Sequence, residues 1–259
     1  MRKPVTVLPL LALLVAVLAA AGTAGASRHA ETFTYCTDPT FPPMELAGTS
    51  GKISGFDVEM AAKLAKTWGA TAKPLKTAFP GLIPALNAKK CDAVISGIFV
   101  TPDRKKQAGV VAYMESHRVL IVKAGNPKGI HSPNQLKGKV VAVQAGTKYE
   151  EYLKALKSKL GFTLQSYPGD TDAVAQILLG RADAVLTQDT SFAYQAKQHP
   201  GKIAIGFTFK AKDAFGIYFR KSDASGLGQQ IKAGVAKLKS SGALAKIAKK
   251  YKVPVADVK

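Results

Sequence analysis

Cys91-Asp-Ala-Val-Ile-Ser-Gly-Ile-Phe-Val-Thr-Pro-Asp-Arg104 decides how this chain is read. Residues 92 to 95 are an apolar run short enough for a buried strand, and Ser96-Gly97 breaks it. Thr101 is suited to cap a helix, Pro102 suits the first helical position, and Arg104 follows within the first turn. Backbone N–H groups and a guanidinium therefore converge where the strand ends. That is a place for an anion, and the planar fork of Arg104 suits the two oxygens of a carboxylate best. The plainer alternative is an arginine paired with a neighbouring aspartate on an ordinary strand-to-helix turn.

Upstream of this stretch the same alternation is visible. Phe33 to Thr37 predicts a strand, and Asp38-Pro-Thr-Phe41-Pro-Pro-Met44 a stiff turn that leaves Phe41 either displayed or packed in the core. Phe56, Met60, Leu64 and Trp68 share one helical face, closed by Gly69. Ala72 to Thr77 predicts a strand and Phe79 to Leu86 a short helix. Downstream, Val119 to Val122 and Val140 to Val143 predict further strands. The second of these runs into Gln144-Ala-Gly-Thr147-Lys148-Tyr-Glu150, where Thr147 and Glu150 have capping-box spacing. Helix Thr171 to Leu179, strand Ala182 to Asp189, strand Phe215 to Phe219 and two closing helices complete the chain. Asp189 falls beyond the carboxyl end of a strand, where ligands bind in such sheets, and can equally start the next helix. Strands alternating with helices predict an α/β fold whose mostly parallel sheets are covered by helices.

Residues 1–26 carry Arg2 and Lys3, an apolar run from Val7 to Ala21 and the small residues Ala24-Gly-Ala26, which predicts an export signal cleaved near Ala26. No cysteine lies near that point, so no lipoprotein is expected. The remaining 233 residues have the composition of a globular protein, with 47% hydrophobic and 21% charged residues over the whole chain. Without Arg2 and Lys3, 35 basic residues against 17 acidic leave a net charge of +18. The lysines are scattered at helix-surface spacing and no basic run is interleaved with aromatics, which argues against nucleic acid and for a solvated face. Export permits a disulfide between Cys36 and Cys91, but both suit small buried positions, and the reading leans toward unpaired thiols. His29, His117, His131 and His199 have no metal-ligand spacing, and neither a nucleophile elbow nor a phosphate loop is present. No metal and no cofactor is expected.

Taken together, Phe41-Pro-Pro-Met44, Gly55-Phe-Asp-Val-Glu59, Leu82-Ile-Pro-Ala-Leu86, Cys91 to Gly97, Thr101-Pro-Asp-Arg104, Gln144-Ala-Gly-Thr147 and Ala182-Asp-Ala-Val185 with Asp189 resemble the amino-acid-binding proteins of ABC transporters, in order and over nearly the whole exported chain. The resemblance implies a periplasmic monomer that hands a free amino acid to a permease in the inner membrane. It implies a type II periplasmic-binding-protein fold, with lobe 1 made of residues 31–116 and 215–259 and lobe 2 of 117–214, joined near Ser116 to Arg118 and Asp213 to Gly216. By the same resemblance Arg104 clamps the ligand carboxylate, helped by Thr101 and the turn at Thr147 and Lys148. Asp189, with polar groups near Gly97, receives the ammonium; Phe41 and Phe79 sandwich the side chain, beside Asp38. Phe99 departs from the Ser or Thr common at its place: either Arg104 carries more of the carboxylate contact or Phe99 adds a third apolar wall. Lys148 either reaches an acidic ligand side chain or points into solvent. The competing classes are a dehydratase-like enzyme on the same fold and a basic protein that binds anionic surfaces.

Overall fold

Alternating strands and helices run through residues 31–258 of the computed structural model, which describes those residues and Met1. The expected export signal lies outside the described residues. In chain order the elements are β1 (Thr32–Thr37), β2 (Thr40–Phe41), β3 (Glu45–Ala47), β4 (Ile53–Ser54), α1 (Phe56–Lys66), β5 (Thr71–Lys76), α2 (Leu82–Asn87), β6 (Ala93–Val94) and α3 (Pro102–Gln107). They continue with β7 (Gly109–Lys123), β8 (Val140–Gln144), α4 (Lys148–Leu160), β9 (Thr163–Tyr167), α5 (Asp170–Leu178), β10 (Ala184–Gln188), α6 (Asp189–Gln198), β11 (Ile203–Phe219), α7 (Leu227–Ser240) and α8 (Ala243–Tyr251).

Eight strands form one sheet in the order β5-β1-β6-β11-β7-β10-β8-β9, and β2, β3 and β4 form a small antiparallel sheet beside it. The pairings β5-β1-β6 at one end and β10-β8-β9 at the other are parallel, as the alternation predicts. The two central strands are antiparallel to their neighbours and far longer than the sequence reading allows, 15 residues in β7 and 17 in β11. They run from one half of the sheet into the other. Their pairing slips between Thr208 and Lys212, so that Phe209, Lys210 and Ala211 bulge where β7 supplies only Arg118 between the partners Val119 and His117.

Helix α1 shows why the first half holds together. Phe56, Met60 and Leu64 point one way at helical spacing and are fully buried, each worth about 1.5–3 kcal/mol over an exposed position. Helices α7 and α8 pack on that same helix, so the end of the chain returns to the first half. One expectation is overturned: Cys36 and Cys91 form a disulfide, with Cα atoms 5.7 Å apart. β1 and β6 are parallel neighbours, Cys36 opposite Val94, and Cys91, two residues before β6, comes against the side of β1. Closing a loop of 55 residues in the unfolded chain is worth about 4 kcal/mol by loop entropy.

Candidate functional site

The stretch from Cys91 to Arg104 folds as read. Thr101 caps α3, its Oγ1 accepting from the Arg104 N–H at 3.2 Å, and Pro102 occupies the first helical position. Before it, Gly97 has a φ of +48°, and a Cβ there would lie 2.5 Å from the Phe41 ring, so only glycine lets the two approach. The Gly97 N–H donates to Asp57 Oδ2 at 2.7 Å, and the Tyr113 hydroxyl donates to the same carboxylate at 2.8 Å. Ser96 Oγ donates to Glu45 Oε1 at 2.9 Å and accepts from the Asp38 N–H at 2.9 Å. Burial and the charge of Asp57 hold Glu45 well above the carboxylate range, and burial raises Asp57 to about 6. This buried pair fixes the backbone on which the site is built.

A small cavity of about 20 Å³ lies between the two halves. Phe41, Phe79, Gly97 and Phe99 line it from the first half, with Gln144, Thr147, Tyr149, Asp170 and Thr187 opposite. Phe99 is buried in an aromatic cluster, 5.0 Å from the Tyr149 ring and 5.1 Å from Phe215, and so stands as an apolar wall. Phe41 meets Phe215 edge-on at 6.2 Å. Thr147 caps α4 and accepts from the Glu150 N–H, while the Glu150 carboxylate turns to Gly146 N–H and Ser166 Oγ. Asp38 lies behind Gln144, whose Nε2 donates to Asp38 Oδ2 at 2.7 Å across the cleft. Burial lifts Asp38 to about 6, against the hydrogen bonds from Thr40 and Gln144 that favour its charge.

Arg104 lies on the far side of Phe79, its guanidinium 5.6 Å from that ring, and donates to the Phe99 carbonyl at 3.1 Å. It opens into a wider basin of about 410 Å³ shared with Thr101, Gly146, Lys148 and Glu151. Burial lowers its pKa from the usual arginine value. Phe79 is thus the common wall of cavity and basin.

Two predicted residues stand elsewhere. Asp189 opens α6 and accepts from Ser116 Oγ at 2.6 Å and from the His117 N–H at 3.3 Å, beside the long strands and outside the cavity. Lys148 lines the basin but pairs with Asp213 at 3.1 Å, a carboxylate also held by Arg118 at 2.9 Å, so it points neither at the cavity nor freely into solvent. The carboxylate that does line the cavity is Asp170, 3% exposed and unremarked in the sequence. It opens α5 and accepts from Thr187 Oγ1 and Ser191 Oγ at 2.5 Å each. Burial raises it to about 6, with a further push from the charge of Asp38. Gly169-Asp170 at the start of a helix reads as an ordinary terminus; only the fold brings β10 and α6 to it. Gln144 was legible as the end of β8, but nothing local signals its reach to Asp38.

Among the described residues no group of three His, Cys, Asp or Glu could hold a metal ion, and no helix is long and apolar enough to cross a membrane.

Comparison with known proteins bears on this arrangement. Residues 33–254 match the bacterial extracellular solute-binding proteins, family 3. The chain is 30% identical over 213 residues to the L-cystine-binding protein TcyJ of Escherichia coli K12, covering 82% of this chain and 79% of that one. It superposes on an ancestral arginine-binding protein bound to arginine with a TM-score of 0.80 at 32% identity, covering 85% of this chain and 97% of that one. The ancestral amino acid-binding protein AncCDT-1, a precursor of cyclohexadienyl dehydratase, superposes with a TM-score of 0.78 at 30% identity, covering 85% and 95%.

Proposed function

The chain belongs to the bacterial extracellular solute-binding proteins, family 3, and captures an amino acid for delivery to an ABC transporter permease; from that premise we propose that its ligand is a cationic amino acid of the arginine class. One observation carries the reading: two buried carboxylates stand at the cleft, Asp170 lining the cavity and Asp38 behind the Gln144 amide, one more than an α-ammonium requires, while the nearby cation of Lys148 is engaged by Asp213. A zwitterion with a cationic side chain carries two positive groups and one carboxylate, and desolvating all three is tolerable only where each meets a fixed partner. In this assignment Asp170 receives the α-ammonium and Arg104, moving past the Phe79 edge, the carboxylate. Asp38 receives the side-chain cation in place of the Gln144 amide. Phe41 and Phe79 flank the aliphatic stem, and the arginine-bound ancestral relative is consistent with such a ligand.

Binding would draw the two halves together, because Arg104 and Asp38 belong to one and Asp170 to the other. We place the lobe boundaries at 116/117 and 214/215, where β7 and β11 cross. Residues 1–26 serve as the export signal, and the protein acts in the periplasm as a monomer. The cleft binds rather than transforms its ligand in this reading, although the dehydratase lineage of one structural relative makes a test worthwhile.

Isothermal titration of ligand-stripped protein with arginine, lysine, histidine, glutamine and cystine tests this. Arginine or lysine should bind at least ten times more tightly than glutamine, and be recovered unchanged after incubation. A preference for a neutral amino acid that survives Asp38→Asn would overturn it.

A further inference from the structure

A second pocket, of about 250 Å³, sits between the halves and shares no lining residue with the cavity. One wall is Pro42-Pro43 and Leu46 of the small sheet, another is α6 with Thr190, Tyr194 and Lys197, and the end of α8 supplies Tyr251 and Lys252. Its volume falls just below that of pockets for drug-sized ligands, roughly 300–1,000 Å³, which suits a smaller molecule.

Two features of its polar side have no explanation among the described residues. Thr190 is 2% exposed, and its hydroxyl has no hydrogen-bond partner among the described residues. Such a buried hydroxyl ordinarily finds a partner, because leaving one unmade costs about 1–3 kcal/mol. Lys197 from one half and Lys252 from the other also face each other, and neither has an acidic partner among the described residues. Repulsion between the two ammonium groups holds Lys197 below the usual lysine range. The third lysine at the rim, Lys250, is by contrast satisfied by Glu59 and lies over the Tyr251 ring. A carboxylate would answer both features, relieving the ammonium pair and, once the Thr190 side chain turns its buried hydroxyl toward the pocket, accepting from it. The prolines and tyrosines provide flat apolar walls for the rest of such a molecule.

We propose that this pocket binds a small aromatic carboxylate, held by Thr190, Lys197 and Lys252 and packed between Pro42-Pro43 and the two tyrosines. Because its cations come from opposite halves, the site is complete only when the cleft is closed. Occupancy and amino-acid capture are then linked, each strengthening the other by the same factor. The site itself does not depend on which amino acid the cleft takes.

Benzoate is the probe. Titrated by ligand-observed NMR into the full exported chain, it should bind saturably at one site. Lys197→Gln with Lys252→Gln should weaken it at least tenfold, and Thr190→Val about threefold. Lys232→Gln with Lys246→Gln, exposed positions elsewhere, removes the same charge and should change the dissociation constant less than twofold. Absence of saturable binding overturns the proposal. So does equal weakening by the two lysine pairs, which would show attraction by net charge alone. Thermal melts of each variant separate loss of the site from loss of fold.

Discussion

Two pairs of buried carboxylates, Glu45 with Asp57 and Asp38 with Asp170, are alike in burial and opposite in use. The first pair lies within one half of the molecule, and its partners are a backbone N–H, a tyrosine hydroxyl and Ser96. Burial and the charge of Asp57 favour a proton on Glu45, and each carboxyl is anchored through at least one oxygen, Glu45 to Ser96 and Asp57 to the Gly97 N–H and Tyr113. The second pair belongs to opposite halves, and its partners, Gln144, Thr187 and Ser191, are side chains that rotate. The comparison teaches that burial alone does not mark a binding carboxylate. What distinguishes it is whether its partners can be exchanged for a ligand without breaking the backbone.

That contrast can be broken in four ways. The largest effect should come from Asp57→Ala, which strands the Gly97 N–H and the Tyr113 hydroxyl; each orphaned group costs about 1–3 kcal/mol, so urea denaturation should show a loss of about 4 kcal/mol. A loss under 1 kcal/mol would erase the distinction. Asp170→Asn should leave stability at neutral pH undiminished but weaken arginine binding about 100-fold, near 2.7 kcal/mol, as read by calorimetry.

The pH dependence follows from the raised pKa values of about 6 at Asp38 and Asp170. A carboxyl whose folded pKa exceeds its unfolded one contributes stability at low pH that is lost as pH rises through the folded value. From pH 7 to pH 5 the ligand-free protein should therefore gain about 1 kcal/mol from each of these two groups, while affinity for a cationic ligand falls. The variant Asp38→Asn with Asp170→Asn should flatten that part of the gain. The smallest effect is the most selective: Asp38→Asn should cost arginine about tenfold, near 1.4 kcal/mol, and change glutamine binding less than threefold.

What the sequence reveals follows the range of the interactions. The helix cap at Thr101, the apolar face of α1 and the strand-to-helix turns at Gly97 and Thr147 are local and were legible. The sequence reading does not predict the first part of β11, although Ile203, Ile205, Phe207 and Phe209 alternate with other residues in strand fashion. The disulfide was not legible, because a spacing of 55 residues does not say which strands are neighbours. Asp170 and Asp189 open consecutive helices after strands and look alike in sequence. Only the packing of α5 against β10 and α6 turns the first into the cavity and ties the second to Ser116.

The bulge in β11 has a mechanical meaning. Two long strands laced together by hydrogen bonds behave as a leaf spring: stiff against shear and twist, compliant in one bending direction. The bulged residues 209–211, two more than the opposite strand supplies, put the weak point of that spring opposite Arg118, whose guanidinium is wedged 5.0 Å over Phe209 and 5.5 Å over Tyr152 while gripping Asp213. A flexure with a plug in its notch has a preferred angle as well as a preferred axis. In our reading the jaws of this protein therefore swing along one arc, and little orientational freedom remains to be lost when a ligand shuts them.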